Sequence, residues 1–209
     1  MTLAGIALAG WTAHVHAQNL PVERPTLQPG ERWVYRVVDR WTNQETSKFE
    51  QIYAESVDGR LVFRVRSLTK DEAPRTVYLS ADQTPCRTMQ RSQETVCAGV
   101  LKFPLKAVGD RWSYSKLPWP NGKGYFEAEC EIKGEEKVTV AAGTFDTVRI
   151  ECKGQRTRVF DGSGSSRTDE TMWYAPAAKR MVRYEFNTYR SDGRPDDRNT
   201  TELVEMQLR

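Results

Sequence analysis

The sequence predicts an all-β fold: an antiparallel, strongly curved sheet or incomplete barrel of about ten or more strands. Three observations carry this expectation. Nearly every periodic stretch alternates apolar and polar residues, as half-buried antiparallel strands do. Turn signals separate the stretches at short intervals, and no long run carries a helical apolar stripe.

The strands follow in order. In WVYRVVDRW, Trp33, Tyr35 and Val37 share one face and Arg36 and Arg40 the other. Phe49–Glu55 comes next, then a turn at VDGR (Val57–Arg60), then Leu61, Phe63 and Val65 alternating with Arg64 and Arg66, then Thr76–Leu79. Ala98–Leu105 is the best place for a short helix. In FEAECEIKG, Phe126, Ala128, Cys130 and Ile132 lie opposite Glu127, Glu129, Glu131 and Lys133. Lys137–Val140, Thr147–Cys152, Thr168–Tyr174, Met181–Thr188 and Thr201–Leu208 complete the set. Turns are expected at AAGT (Ala141–Thr144), DGSGSS (Asp161–Ser166) and SDGRPDD (Ser191–Asp197).

Two stretches nearly repeat: GERWVY at Gly30–Tyr35 and GDRWSY at Gly109–Tyr114, 79 residues apart. Each stands before a long strand and a hairpin. The pair reads as one strand-opening device used twice, or as two related halves of one domain, 27–104 and 105–209, within a single β domain spanning 18–209. Trp33 and Trp112 are its expected core anchors.

The first 17 residues are an apolar run ending in Val-His-Ala, a secretory signal pattern, although no Lys or Arg precedes the run. The run is too short to span a bilayer, which takes about 20 apolar residues. The expected location is therefore periplasmic or secreted. Four cysteines fit that compartment as two disulfides, and sequence proximity favours Cys86–Cys97 and Cys130–Cys152 among the possible pairings. With 31 basic and 28 acidic side chains, the surface is mixed and carries no basic block for nucleic acid.

Both histidines, His14 and His16, fall in the signal segment, so the exported chain has none. That excludes Ser-His-Asp and Cys-His nucleophiles and histidine-bound metals. No cofactor and no metal site is expected. Carboxylates remain: Glu127, Glu129 and Glu131, or Asp169 and Glu170, all on faces that read as exposed. Asp192, Asp196 and Asp197 cluster in a turn without the acid spacing of a calcium loop. Trp119, between prolines in LPWPNGKGY, fits the rim of a barrel or a pocket mouth. The aromatic set Trp33, Tyr35, Trp41, Trp112, Tyr114, Trp119 and Trp173 forms the candidate ligand-binding group.

The run VTVAAGTFDTVRIE, followed by TMWYAP and RMVRYE, resembles a pattern of uncharacterised bacterial exported β-proteins. These in turn are similar to periplasmic lipoprotein carriers of the LolA type. The resemblance implies an antiparallel half-barrel with an apolar concave face and, by analogy, binding of a lipid or another hydrophobic ligand. The chain departs from those carriers in having no covering helix.

The expected function is thus non-catalytic binding of a hydrophobic ligand, lipid or envelope component on a concave sheet face. The alternatives are an assembly partner in an envelope complex and a histidine-free, carboxylate-dependent glycan hydrolase. The last needs two carboxyl groups facing each other across a cleft.

Overall fold

The computed structural model describes residues 20–88, 93–119, 123–158 and 165–209; the signal segment, the tips of the loops near 90 and 121, and most of DGSGSS lie outside the described residues. Twelve strands run β1 (Arg32–Asp39), β2 (Gln44–Val57), β3 (Arg60–Ser67), β4 (Arg75–Leu79), β5 (Cys86–Thr88), β6 (Thr95–Cys97), β7 (Arg111–Pro118), β8 (Gly124–Val140), β9 (Gly143–Arg158), β10 (Ser165–Ala175), β11 (Arg180–Tyr189) and β12 (Pro195–Gln207). A single 3-10 turn, Pro176–Ala178, separates β10 from β11. Ten strands form one antiparallel sheet in the order β4-β3-β2-β1-β12-β11-β10-β9-β8-β7, and β5 and β6 form a separate hairpin. The large sheet ends on β4 and β7, so it is curved and open rather than closed.

The curl can be measured from the side chains that meet inside it. In a flat sheet β7 and β10 would stand about 14 Å apart, three strand spacings. Yet the Tyr114 hydroxyl of β7 donates directly to the Glu170 carboxylate of β10. Between them lie Ala128 and Gly154, paired with Tyr114 and with each other. A Cβ placed on Gly154 would stand 2.1 Å from the Glu127 carbonyl oxygen and 2.5 Å from the Ala128 Cβ. Paired Cβ atoms ordinarily stand about 4.5–5.5 Å apart, so glycine is what lets β8 and β9 approach this closely.

The concave face holds the core. One cluster joins Trp33, Tyr35, Tyr53, Phe63 and Leu203; the other joins Ile132, Val148, Ile150 and Tyr174 to Val22, Phe103 and Leu105 from the crossing segments. The convex face carries ion pairs instead: Arg32 with Glu50 and Glu205, Arg36 with Glu202, and Arg40 with Glu185. This division is the alternation read from the strands. Both disulfides, Cys86–Cys97 and Cys130–Cys152, join directly paired residues of neighbouring strands. They place the folded chain in an oxidising compartment, the periplasm or the cell exterior.

The two opening motifs make the same contacts. Gly30 donates to the Tyr53 carbonyl at 2.8 Å, and Gly109 to the Ile132 carbonyl at 2.8 Å. Tyr53 N–H returns to the Glu31 carbonyl at 2.9 Å, and Ile132 N–H to the Asp110 carbonyl at 3.0 Å. Both glycines have left-handed φ values, +88° and +91°, which side-chain-bearing residues adopt only at a cost. In the first copy the buried Glu31 carboxylate also pairs with Lys179 and accepts from the Gln28 N–H at 3.0 Å.

Two expectations need correction. Ala98–Leu105 forms no helix; it is irregular chain packed on the second core cluster, and Leu105 bridges Val22. Its apolar side chains serve burial, not a helical stripe. Phe126–Ile132 and Lys137–Val140 are not two strands but one, because the Lys133-Gly134 break is a bulge between Ile132 and Gly134, not a turn.

Two outcomes follow for stability. Gly154→Val should cost roughly 3 kcal/mol through overpacking of the bend, whereas Gly59→Ala, at a β-turn with open space around it, should cost about 1 kcal/mol or less for its positive φ alone. Urea unfolding midpoints compare the two directly. The double variant Cys130→Ala/Cys152→Ala, which opens a loop of 22 residues, should lose about 3 kcal/mol in the same assay; an unchanged midpoint would contradict the pinning role.

Candidate functional site

A cavity of about 520 Å³ lies on the concave face. Its floor comes from β10, β11 and β12, which present Glu170, Met172, Tyr184, Phe186 and Thr201. Its roof is formed by Leu79, Thr84, Pro85 and Arg87 together with Val100 and Leu101, and Tyr114, Leu117 and Phe126 close the far side. The size falls in the range of small-molecule sites, about 300–1,000 Å³. Most of the lining is apolar.

The polar groups converge on two points. At the first, the Glu170 carboxylate accepts one hydrogen bond from the Tyr114 hydroxyl and one from the Tyr184 hydroxyl. The Arg87 guanidinium stands nearby, with Nη1 donating to the Pro118 carbonyl at 2.6 Å. Burial pushes Glu170 above the usual glutamate range, against the two phenol hydrogen bonds and the Arg87 charge, which act the other way. Burial and the neighbouring carboxylate push both phenols up as well.

At the second point, Arg180 is only 5% exposed. Its guanidinium packs 4.6 Å from the centre of the Phe63 ring, and its Nη2 donates to Gln51 Oε1 at 2.7 Å. Its Nη1 is buried and has no hydrogen-bond partner, and neither has the buried Tyr174 hydroxyl. The guanidinium charge acts on Tyr174 and Tyr35 alike.

Of the seven aromatic candidates, Tyr114 lines the cavity. Trp33 and Tyr35 are fully buried in the first core cluster; the Trp33 indole donates to the Ala178 carbonyl at 2.8 Å and the Tyr35 hydroxyl to the Met181 carbonyl at 3.0 Å. Trp41 is 57% exposed just beyond β1, with Arg198 over its ring. Trp112 packs on the second cluster. Trp119 lies against Phe126, with ring centres 5.8 Å apart, in space that Gly124 leaves open. Trp173 stands on the opposite face from Met172 and Tyr174 and donates to Glu136.

Glu170 overturns the reading of the acids as uniformly exposed: it is 6% exposed and faces the cavity. The signal was present in the alternation, since Thr168, Glu170, Met172 and Tyr174 share a face. Glu127 and Glu129 do lie outward, and Glu131 is held by Arg111 and Lys133. Two of the three turn acids are paired with arginines, Asp192 with Arg194 and Asp196 with Arg156. Among the described residues no group of three or more potential ligands could hold a metal ion, and Glu170 is the one carboxyl lining the cavity. Arg87, Arg180 and Tyr184 are lining residues that the sequence reading did not single out.

No protein-family model and no curated protein matches the chain. Among solved structures, one from Bacteroides fragilis, described as an exported protein with a YmcC-like fold, has a TM-score of 0.47 at 13% identity and covers 87% of this chain and 97% of its own. A structure described as a lipoprotein from Parabacteroides distasonis has a TM-score of 0.47 at 14% identity, over 90% and 98%. The hypothetical lipoprotein YmcC from Escherichia coli has a TM-score of 0.43 at 10% identity, over 84% of each chain.

The raised Glu170 carries a sign for stability. The folded chain keeps a proton that the unfolded chain releases near the usual value of 4.5. Its contribution is full below that value and is lost as pH rises toward the folded value. Urea midpoints of the parent should therefore fall over that window relative to Glu170→Gln, which stays neutral. Parallel profiles for the two proteins would refute the assignment.

Proposed function

We propose that the chain is a non-catalytic, exported binding protein that holds a small hydrophobic ligand in the concave cavity. The observation that supports this most is the cavity itself: about 520 Å³ bounded by Leu79, Leu101, Leu117, Phe126, Met172 and Phe186 within an otherwise packed face. A partly enclosed, mostly apolar cleft with a few converging polar groups is the usual form of a small-molecule site, and this one has that form. Its single carboxyl does not supply the facing pair that a carboxylate-dependent glycosidase requires. The alternative of an envelope assembly partner rests on the unpaired sheet edges at β4 and β7, which say nothing about the chamber.

The neutral dye N-phenyl-1-naphthylamine tests the reading because it needs no charged partner. It should bind with enhanced fluorescence, and Met172→Trp, which fills the floor, should weaken binding by about tenfold or more with little change in the urea midpoint. Absence of dye binding to the parent protein, or unchanged binding to the variant, would dismiss the cavity as a ligand site.

A further inference from the structure

We infer that the ligand is a single-chain amphiphile carrying one anionic group, which docks on Arg180 while its apolar chain lies along the cavity. This inference rests on the cavity being a ligand site and goes on to name the chemistry of the ligand.

The argument begins with an unbalanced charge. An arginine stays protonated at any accessible pH, and burying a cation is costly unless it is paired with an anion or fully hydrogen-bonded. Arg180 has neither satisfaction. Its Nη2 donates to the neutral amide oxygen of Gln51, its charge lies beside the Tyr35 hydroxyl and over the Phe63 ring, and its Nη1 has no acceptor. The Tyr174 hydroxyl, within the field of the same guanidinium, is a second buried donor without an acceptor. The same chain builds a finished buried pair elsewhere: Glu31 receives Lys179 and a backbone N–H. Arg180 thus lacks the opposite charge that Lys179 has in Glu31.

The rest of the cavity points the same way. Arg87 and Arg180 are two cations on its lining against one carboxyl, Glu170. Both Glu170 oxygens are engaged by phenol hydroxyls, so Glu170 is spoken for and an incoming cation finds no open anion. An incoming carboxylate or phosphate, in contrast, finds the Arg180 guanidinium in the lining, held by neutral groups alone. Charge-assisted hydrogen bonds of this kind are the strong ones. From Arg180 the apolar wall continues through Met181, Met172 and Phe186 to Phe126 and Leu117, a path for an unbranched chain. Methionines suit such a wall because they adapt to flexible ligands.

The test compares dodecanoate, dodecyl phosphate and dodecanol at neutral pH by displacement of N-phenyl-1-naphthylamine. The parent should bind at least one of the two anions about tenfold or more tightly than the alcohol. The preferred anion then identifies the headgroup as a carboxylate or a phosphate. Arg180→Met should bring that anion down to the level of the alcohol while leaving dodecanol binding in place. Equal affinity of the parent for all three compounds would overturn the inference but leave the cavity reading standing; so would a persistent preference for the anion in a folded Arg180→Met. If the variant does not fold, the comparison among the three ligands on the parent decides alone. Failure of the dye and all three compounds to bind would instead sink the cavity reading and the inference with it.

Discussion

The bend between β8 and β9 is the constraint on which the rest of the molecule depends. Ala128 and Gly154 sit side by side where any larger side chain would strike backbone or Cβ, and that close approach turns a ten-stranded sheet into a trough. One consequence is geometric: Tyr114 crosses the two small residues to reach Glu170. Another is mechanical. The Cys130–Cys152 disulfide lies in the next row of the same two strands, and Cys152 pairs with Glu170. The bend, the covalent link and the buried acid therefore occupy neighbouring rows. A relaxed bend would separate Tyr114 from Glu170 and open the chamber at its far side.

Stability alone gives a poor account of the polar groups inside the trough. Replacing buried charges by apolar residues of similar volume is often neutral or stabilising, and the concave face offers abundant apolar neighbours. Glu31 with Lys179 shows what a structural buried charge looks like here, since every role it plays ties chain segments together: the start of β1, the 3-10 turn region and, through the Arg209 N–H at 3.4 Å, the C-terminus. Glu170 links β7, β10 and β11 in a comparable way. Arg180 reaches Gln51, the Tyr35 hydroxyl and the Trp33 and Phe63 rings, all of them neutral, and so lacks the opposite charge that Glu31 finds in Lys179.

Much of the fold was legible because burial on a sheet is written with period two. Trp33, Tyr35, Phe63 and Ile132 face inward where alternation puts them, and cysteines close in sequence bonded across paired strands. The site was less legible for physical reasons. Glu170 alternates with Met172 and Tyr174, but alternation does not distinguish an acid sealed under a roof from one in water. The roof comes from Leu79, Thr84, Pro85, Arg87, Val100 and Leu101, in and around short strands with no period to read. Arg180 follows a left-handed residue, Lys179, after the 3-10 turn, and its inward aim depends on that turn. The aromatic residues were the visible feature, yet most of them fill the core, because large rings on a concave face are more useful as packing than as lining.

The two opening motifs lead into strands whose matching positions are packed differently. At a spacing of 79 residues, Tyr35 corresponds to Tyr114, Phe49 to Ala128, and Tyr53 to Ile132. The cross-strand partners of the last pair, Phe63 and Ile150, correspond in turn. In the first half Tyr35 stacks on Phe49 with ring centres 5.6 Å apart, Tyr53 meets Phe63 at 5.5 Å, and the face is solid. In the second half the matching positions are an alanine and two isoleucines, so the same backbone device encloses less side-chain volume. Phe103, Leu105 and Val22 refill part of that space. The tyrosine that in the first copy donates to the Met181 carbonyl donates in the second to Glu170, in the lining of the chamber. The chamber draws its lining from both ends of the chain, from Gln51, Leu79 and Leu101 as much as from Tyr114, Phe126 and Glu170, and Arg180 stands among them with its guanidinium over Phe63.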